Sequence, residues 1–82
     1  MEQFIIQNYI NNLTIDQIIN YAKKENIDIT LDEANIIYDY IKKYWLIFYK
    51  GNPDELLIKL KKRIRPNTYN DLLNLYQKYK KS

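Results

Sequence analysis

The sequence predicts an all-α fold, a compact bundle of four to five helices with the third helix at its centre. Apolar residues recur at intervals of three and four along nearly the whole chain, which is the period of a helix buried on one face. Residues that can cap a helix start interrupt this pattern. With 82 residues and no cysteine, the chain is expected to form one domain, residues 1–82, stabilised by helix packing or by oligomerisation.

Five helices are expected, at about residues 2–12, 15–25, 31–48, 54–65 and 69–80. Three threonines are each followed three residues later by a polar acceptor: Thr14 by Gln17, Thr30 by Glu33 and, as a weaker signal, Thr68 by Asp71. In such a pair the two side chains cap the helix start reciprocally.

Glycine and proline mark the remaining boundaries. Gly51 and Asn52 are expected to break the chain before Pro53, which suits the first turn of the fourth helix. Pro66 is expected to end that helix, because proline disfavours helical backbone in the residue before it.

Each of the last four helices carries an apolar stripe that we expect to face the core. The stripes consist of Ile15, Ile18, Ile19 and Ala22 in the second helix; Leu31, Ala34, Ile37, Tyr38, Ile41, Tyr44, Trp45 and Phe48 in the third; Leu56, Leu57, Leu60 and Ile64 in the fourth; and Tyr69, Leu72, Leu73, Tyr76 and Tyr79 in the fifth.

The end of the third helix, Tyr44 to Tyr49, is a run of six apolar or aromatic residues. It is far shorter than the roughly 20 apolar residues of a membrane-spanning helix. Two interpretations remain, and burial on all sides by the surrounding helices is the favoured one. In the other, Leu46, Ile47 and Tyr49 stay exposed beside Ile36 and Tyr40 and form an apolar patch for a second copy or another protein.

Charge is divided sharply along the chain. Residues 1–41 contain seven acidic and two basic side chains, a net charge of −5, whereas residues 42–82 contain eleven basic and three acidic ones, a net charge of +8. The fourth helix holds the densest cluster, in the stretch KLKKRIR. Its basic residues are Lys59, Lys61, Lys62, Arg63 and Arg65.

This basic cluster admits three interpretations. It could contact phosphates, of nucleic acid or of an anionic lipid surface, with residues 78–81 (Lys78, Lys80 and Lys81) adding to it. It could contact an acidic partner, including the acidic half of this chain or of a neighbouring copy. It could also be an ordinary solvated helix face.

Catalysis is not expected. The chain has no histidine and no cysteine, and its single glycine excludes a glycine-rich phosphate loop. Carboxylates such as Asp16 and Glu33 lie where first-turn acids normally stabilise helix starts. The sequence therefore predicts no catalytic residue, no metal site and no cofactor.

Three stretches carry a resemblance to a known family: LTIDQIINYAKKENIDIT, LIFYKGN and RPNTYNDLLNLYQKY. Their order resembles the YqfT-like family of small, uncharacterised proteins of low-GC Gram-positive bacteria. The resemblance implies a small cytoplasmic helical protein from an AT-rich bacterium or its phage, and it supplies no functional residues. The abundance of Ile, Asn, Lys and Tyr is typical of an AT-rich genome.

The function expected from these features is a non-enzymatic interaction or adaptor role, through a protein partner or a homodimer. The expected interface residues are Tyr40, Leu46, Ile47 and Tyr49, with the basic fourth helix orienting the partner. The alternative is sequence-tolerant binding of nucleic acid by residues 59–65 and 78–81. Since the N-terminus lacks the features of a secretory signal, the expected compartment is the cytoplasm.

Overall fold

A computed structural model describes residues 2–81, without the side chain of Lys81. Within that range the chain forms five helices and no strand: α1 (Glu2–Asn11), α2 (Ile15–Lys24), α3 (Leu31–Lys50), α4 (Asp54–Lys61) and α5 (Pro66–Lys81). None of these helices is long and apolar enough to cross a membrane. The predicted all-α class is confirmed.

The first two threonine signals are helix caps, as predicted. The Thr14 hydroxyl accepts from the backbone N–H of Gln17 at 3.2 Å, and the Thr14 backbone N–H donates to the Gln17 side chain at 2.9 Å. Thr30 and Glu33 form the equivalent pair at the start of α3, at 3.1 and 3.0 Å. Each pair satisfies backbone groups that the first helical turn leaves without partners.

The turn between α2 and α3 depends on a left-handed residue. Asn26 has a φ of 59°, a conformation that asparagine tolerates better than most residues do. The backbone N–H of Ile27 then returns to the carbonyl of Ala22 at 2.8 Å, which closes the end of α2. Ile27 is thereby buried against the helices.

The boundary between α4 and α5 differs from the prediction. α4 ends at Lys61, before the expected residue 65, and α5 begins at Pro66, before the expected residue 69. Pro66 begins a helix because the first position of a helix needs no N–H donor, so its missing N–H leaves no bond unmade there. The prediction that Thr68 caps this helix is wrong, since Thr68 lies inside the first turn of α5 and is buried.

The helix α3 is central, as predicted, because it contributes to two separate groups of buried side chains. One group joins Leu13 and Ile18 to Ala34 and Ile37 of α3. The other joins Tyr40 of α3 to residues of α4, α5 and the segment between them, namely Leu60, Ile64 and Tyr69. The stripe prediction fails at Leu31, which is 64% exposed at the very start of α3, and at Tyr79, which is 58% exposed near the end of α5.

Candidate functional site

An apolar groove lies between α1, α3, α4 and α5 and has a volume of about 810 Å³. Eight aromatic and eight aliphatic side chains line it, and none of the sixteen is charged. Protein interiors are normally close-packed, and a space of this size is typical of sites that hold a ligand or part of another chain. Among residues 2–81 this groove is the strongest candidate for a functional site.

The floor of the groove comes from one side of α3. Residues three and four positions apart lie on the same side of a helix, which places four groove residues in a row: Ile37, Ile41, Trp45 and Phe48. These residues belong to the predicted core stripe. The surrounding helices cover them only in part: Ile41, Trp45 and Phe48 are half-buried.

The opposite wall is α5, which makes polar contacts with α3 at two separated points. Near its start, the Arg65 backbone N–H donates to the Glu33 carboxylate at 2.8 Å. Further along, the Tyr76 hydroxyl donates to the Phe48 carbonyl at 3.0 Å, and the two rings meet edge to face with centroids 5.9 Å apart. Between these two points Tyr69 and Leu72 of α5 belong to the packed core, and the polar contacts fix α5 beside α3.

Tyrosines at the edge of the groove are held by polar contacts. The hydroxyls of Tyr21 and Tyr79 share a hydrogen bond, and partial burial together with this bond raises the pKa of Tyr21 above its ordinary value. Partial desolvation and the nearby Glu2 carboxylate likewise raise the pKa of Tyr49. Both hydroxyls therefore remain neutral at physiological pH. Tyr49 lines the groove, whereas Tyr21 lies outside it and contacts the groove residue Tyr79.

A second cavity of about 370 Å³ lies beside the groove, between α1, α2, α3 and α5. The two cavities share lining residues, among them Tyr9, Ile10 and Leu72. Apolar space therefore extends along α1 on more than one side, and α1 contains no buried residue.

Away from the groove, Glu33 is the centre of a buried polar cluster. The Arg65 guanidinium contacts its carboxylate at 2.9 Å, and the Thr68 hydroxyl donates to it at 3.3 Å and to the Asp28 carbonyl at 3.1 Å. A longer ion pair, at 3.5 Å, joins Arg65 to the exposed Asp28 carboxylate. The cluster ties the start of α3 to the start of α5.

The Glu33 carboxylate has a structural role. Burial alone raises its pKa, but hydrogen bonds from the Arg65 side chain and backbone, from Thr30 and from Thr68 outweigh burial and lower the pKa to about 2. A carboxylate that is ionised and engaged in this way is a poor general acid or base near neutral pH. The capping role of Glu33 was predicted from the sequence, but its ion pair with Arg65 was not. The only sequence signal for that pair was the opposite net charge of residues 1–41 and 42–82.

The four predicted interface residues do not form one patch. Tyr40 is only 8% exposed, so its predicted exposure is wrong: it belongs to the core group of α4 and α5. Leu46, Ile47 and Tyr49 are exposed, which contradicts the favoured interpretation that this end of α3 is buried on all sides.

These three exposed residues lie on two different sides of α3. Leu46 and Ile47 are consecutive, which separates them by about 100° around the helix. Leu46 lies one turn after Lys42, whose ammonium donates to the carbonyls of Ile10 and Asn11 at the end of α1, each at 3.0 Å. Leu46 therefore lies on the side of α3 that faces α1. Tyr49 comes three residues after Leu46, so it lies on the same side, where it lines the groove, and Ile47 is the residue that points elsewhere.

The basic residues predicted for the fourth helix are exposed, but three of the five already have partners in the chain, and Lys62, Arg63 and Arg65 lie after the end of α4. The Lys61 ammonium lies over the Tyr69 ring, 5.8 Å from its centroid, and Arg63 lies over the Tyr40 ring at 5.7 Å. The predicted phosphate contact Arg65 is instead engaged by Glu33 and Asp28.

At the end of α5, Lys78 and Lys80 are exposed, and the Lys80 ammonium donates to the Tyr76 hydroxyl at 3.1 Å. The side chain of Lys81 lies outside the described part of the chain. Residues 2–81 contain no group of three acidic side chains placed to hold a metal ion.

Comparison with known proteins gives one match. A family model described as "Protein of unknown function (DUF2624)" covers residues 1–80. Neither the curated proteins nor the solved structures that were compared include a match.

Proposed function

The chain belongs to the DUF2624 family of proteins of unknown function, and we propose that it is a non-enzymatic interaction protein whose apolar groove receives part of another protein chain. We also propose that the chain is one of the YqfT-like proteins of low-GC Gram-positive bacteria and that it is located in the cytoplasm. The observation that carries the first proposal is the groove of about 810 Å³ with an uncharged lining.

The composition of the groove supports a macromolecular partner. Its lining combines Trp45, Phe48 and several tyrosines with leucine and isoleucine, and large aromatic side chains are enriched in the energetically important parts of protein interfaces. A groove bordered by helices is also the usual receptor for an amphipathic helix, whose apolar side chains enter at helical spacing. The tyrosine hydroxyls at the edge supply polar groups for a rim.

An uncharged apolar dye such as Nile red tests whether the groove is available for binding. We expect the folded protein either to take up the dye as a monomer or to exclude it because a second chain covers the groove. Light scattering after size exclusion, run on the same samples, separates these two cases. A folded monomer that takes up no dye would contradict the proposal.

A matched pair of variants locates the site. Tyr49→Lys places a charge at the groove edge and is expected to weaken dye uptake or association severalfold, because a charge is costly to desolvate. Asn20→Lys makes the same change of charge on the exposed surface of α2 and is expected to behave as the wild type. Equal effects of the two substitutions would place the binding elsewhere.

The exposed basic residues favour nucleic acid as a second candidate partner. Lys59, Lys61, Lys62 and Arg63 are consecutive or nearly so and are all exposed. Contacts of this kind would attract phosphates with little sequence preference, and affinity would fall steeply as salt concentration rises. Retention on duplex DNA or single-stranded RNA at low salt, lost on Lys59→Gln/Lys62→Gln, is the expected result; no retention at low salt excludes this candidate.

A further inference from the structure

The helix α1 is the least buried of the five helices within residues 2–81. It contains no buried residue, whereas each of the other four contributes at least one. Neither of the two groups of buried side chains includes a residue of α1, and none of the half-buried residues packed against those groups belongs to it. An element that buries so little apolar surface loses little free energy when it separates from the rest of the fold.

The inner side of α1 borders both apolar cavities. Ile6, Tyr9 and Ile10 line the groove, and Tyr9 and Ile10 also line the second cavity of about 370 Å³. Ile6 is three and four positions away from the other two, so all three lie on one side of the helix. α1 is therefore a wall that the two cavities share, and its movement away from α3 opens the groove and joins it to the second cavity.

Polar contacts hold both ends of α1 in place. At the C-terminal end, the Lys42 ammonium donates to the carbonyls of Ile10 and Asn11, each at 3.0 Å. At the N-terminal end, the Glu2 carboxylate contacts the hydroxyl of the groove residue Tyr49. The net strength of such bonds is small, because water solvates both partners when the bond is broken.

The residue about which α1 can turn lies directly after the helix. Leu13 is buried and belongs to the group of buried side chains of α2 and α3. Asn12, between α1 and Leu13, is exposed, and its side-chain amide donates to the carbonyl of Asn8 within α1. Leu13 therefore anchors the chain in the core, and a change in the backbone angles of Asn12 swings the whole of α1.

We propose that α1 is a hinged lid that turns about Asn12 to open the groove, and that Lys42 at one end and the contact of Glu2 with Tyr49 at the other hold it closed. This inference rests on the proposed role of the groove and names the step that admits the partner chain. The polar contacts of α1 then set the fraction of molecules whose groove is open, and the apparent affinity for a partner is reduced by that fraction.

Hydrogen exchange tests the lid in the protein alone. We expect the amides of α1 to exchange faster than those of α3 and with similar protection along α1, because the helix opens as one unit. Lys42→Gln removes the contact with the α1 carbonyls and is expected to speed exchange in α1 on the order of tenfold while α3 is unchanged. Lys43→Gln, the same change at the next residue, which is exposed, is expected to leave α1 as in the wild type.

A cross-link tests whether opening of α1 admits a ligand. The chain has no cysteine, so a short bismaleimide can join the double variant Glu2→Cys/Tyr49→Cys and tie the free end of α1 to α3. Stopped-flow fluorescence then follows the entry of Nile red before and after cross-linking of the same variant. We expect the cross-link to slow entry severalfold and Lys42→Gln, without a cross-link, to speed it severalfold.

Two results would overturn the proposal: exchange in α1 that Lys42→Gln and Lys43→Gln affect equally, or entry of Nile red that the cross-link leaves unchanged. The proposed function survives either result, provided that the folded monomer takes up the dye. A folded monomer that takes up no dye contradicts the proposed function instead, and hydrogen exchange still decides whether α1 opens. Far-UV circular dichroism of each variant establishes that the helices are retained.

Discussion

Glu33 shows how one side chain can combine a local and a distant role. Its carboxylate accepts from the Thr30 backbone three residues earlier and from Arg65, 32 residues later. Its side chain is only 6% exposed. A buried carboxylate is tolerated because these donors satisfy it, and the loss of a donor would leave charge without compensation.

The pKa of Glu33 predicts acid sensitivity. Folding lowers this pKa from 4.5 to about 2, so the carboxylate stabilises the folded state fully above pH 4.5. That contribution, about 3 kcal/mol, disappears as the pH falls through 4.5 toward 2. In denaturant titrations, the Glu33→Gln variant should be less stable than the wild type at pH 7. Its stability should also lack the part of the decline between pH 4.5 and 2 that the Glu33 carboxylate causes. The control Glu55→Gln, at an exposed position of α4, should retain it; identical pH profiles for both variants would contradict the assignment.

At the scale of the helices, the starts of α2 and α3 could be predicted because each depends on residues within one turn. Thr14 and Thr30 make their capping bonds to residues three positions away. The start of α5 could not be read in this way. Pro66 is compatible with both the end and the beginning of a helix, and the contact of Arg65 with Glu33, which fixes the choice, joins distant parts of the chain.

A substitution at Thr68 can separate its predicted role as a helix cap from its observed role in buried hydrogen bonds. An N-cap threonine tolerates aspartate, since both side chains accept from the first helical turn. In the structure, however, Thr68 is 1% exposed and donates to Glu33 and to the Asp28 carbonyl.

We therefore expect Thr68→Asp to destabilise the fold by about 3 kcal/mol or more, because it buries a second carboxylate beside the first. The measurement is the free energy of unfolding in urea. Thr14→Asp, at a true cap, should change it by less than about 1 kcal/mol. Similar values for the two variants would support a capping role for Thr68 after all.

The groove could be predicted only in part. Helical spacing identified Ile37, Ile41, Trp45 and Phe48 as one face of α3, but the degree to which α5 covers that face depends on the angle between the two helices. The same limit explains Tyr40, which lies outside the predicted α3 stripe and is buried because residues of α4, α5 and the segment between them pack against it. Periodicity assigns a face to each helix, and packing decides which faces meet.

At the scale of the whole molecule, the core is divided into two groups that are bridged by Leu72. This half-buried leucine of α5 packs against both the group of α2 and α3 and the group of α4 and α5. It also lines both cavities. Among the half-buried residues packed against the two groups, Leu72 is the one that contacts both.

Leu72→Ala is expected to lower the free energy of unfolding by about 2 kcal/mol and to weaken cooperativity as well. In urea, the transition followed by Trp45 fluorescence should separate from the one followed by circular dichroism, because two-state behaviour requires that the halves unfold together. Leu56→Ala, which packs against one group alone, should lower stability while the two transitions coincide. Coincident transitions in Leu72→Ala would show that the halves are coupled by other contacts.

The link between Glu33 and Arg65 also bears on how long the native state persists. Most helical contacts form between near neighbours, but this one closes a loop of 32 residues, and loop closure loses chain entropy before the contact forms. Such a contact is expected to form after the folding transition state. Arg65→Met should then leave the folding rate nearly unchanged and raise the unfolding rate by at least about tenfold, as stopped-flow fluorescence of Trp45 can measure. A single ion pair would in that way set the lifetime of the folded molecule more than the speed at which it forms.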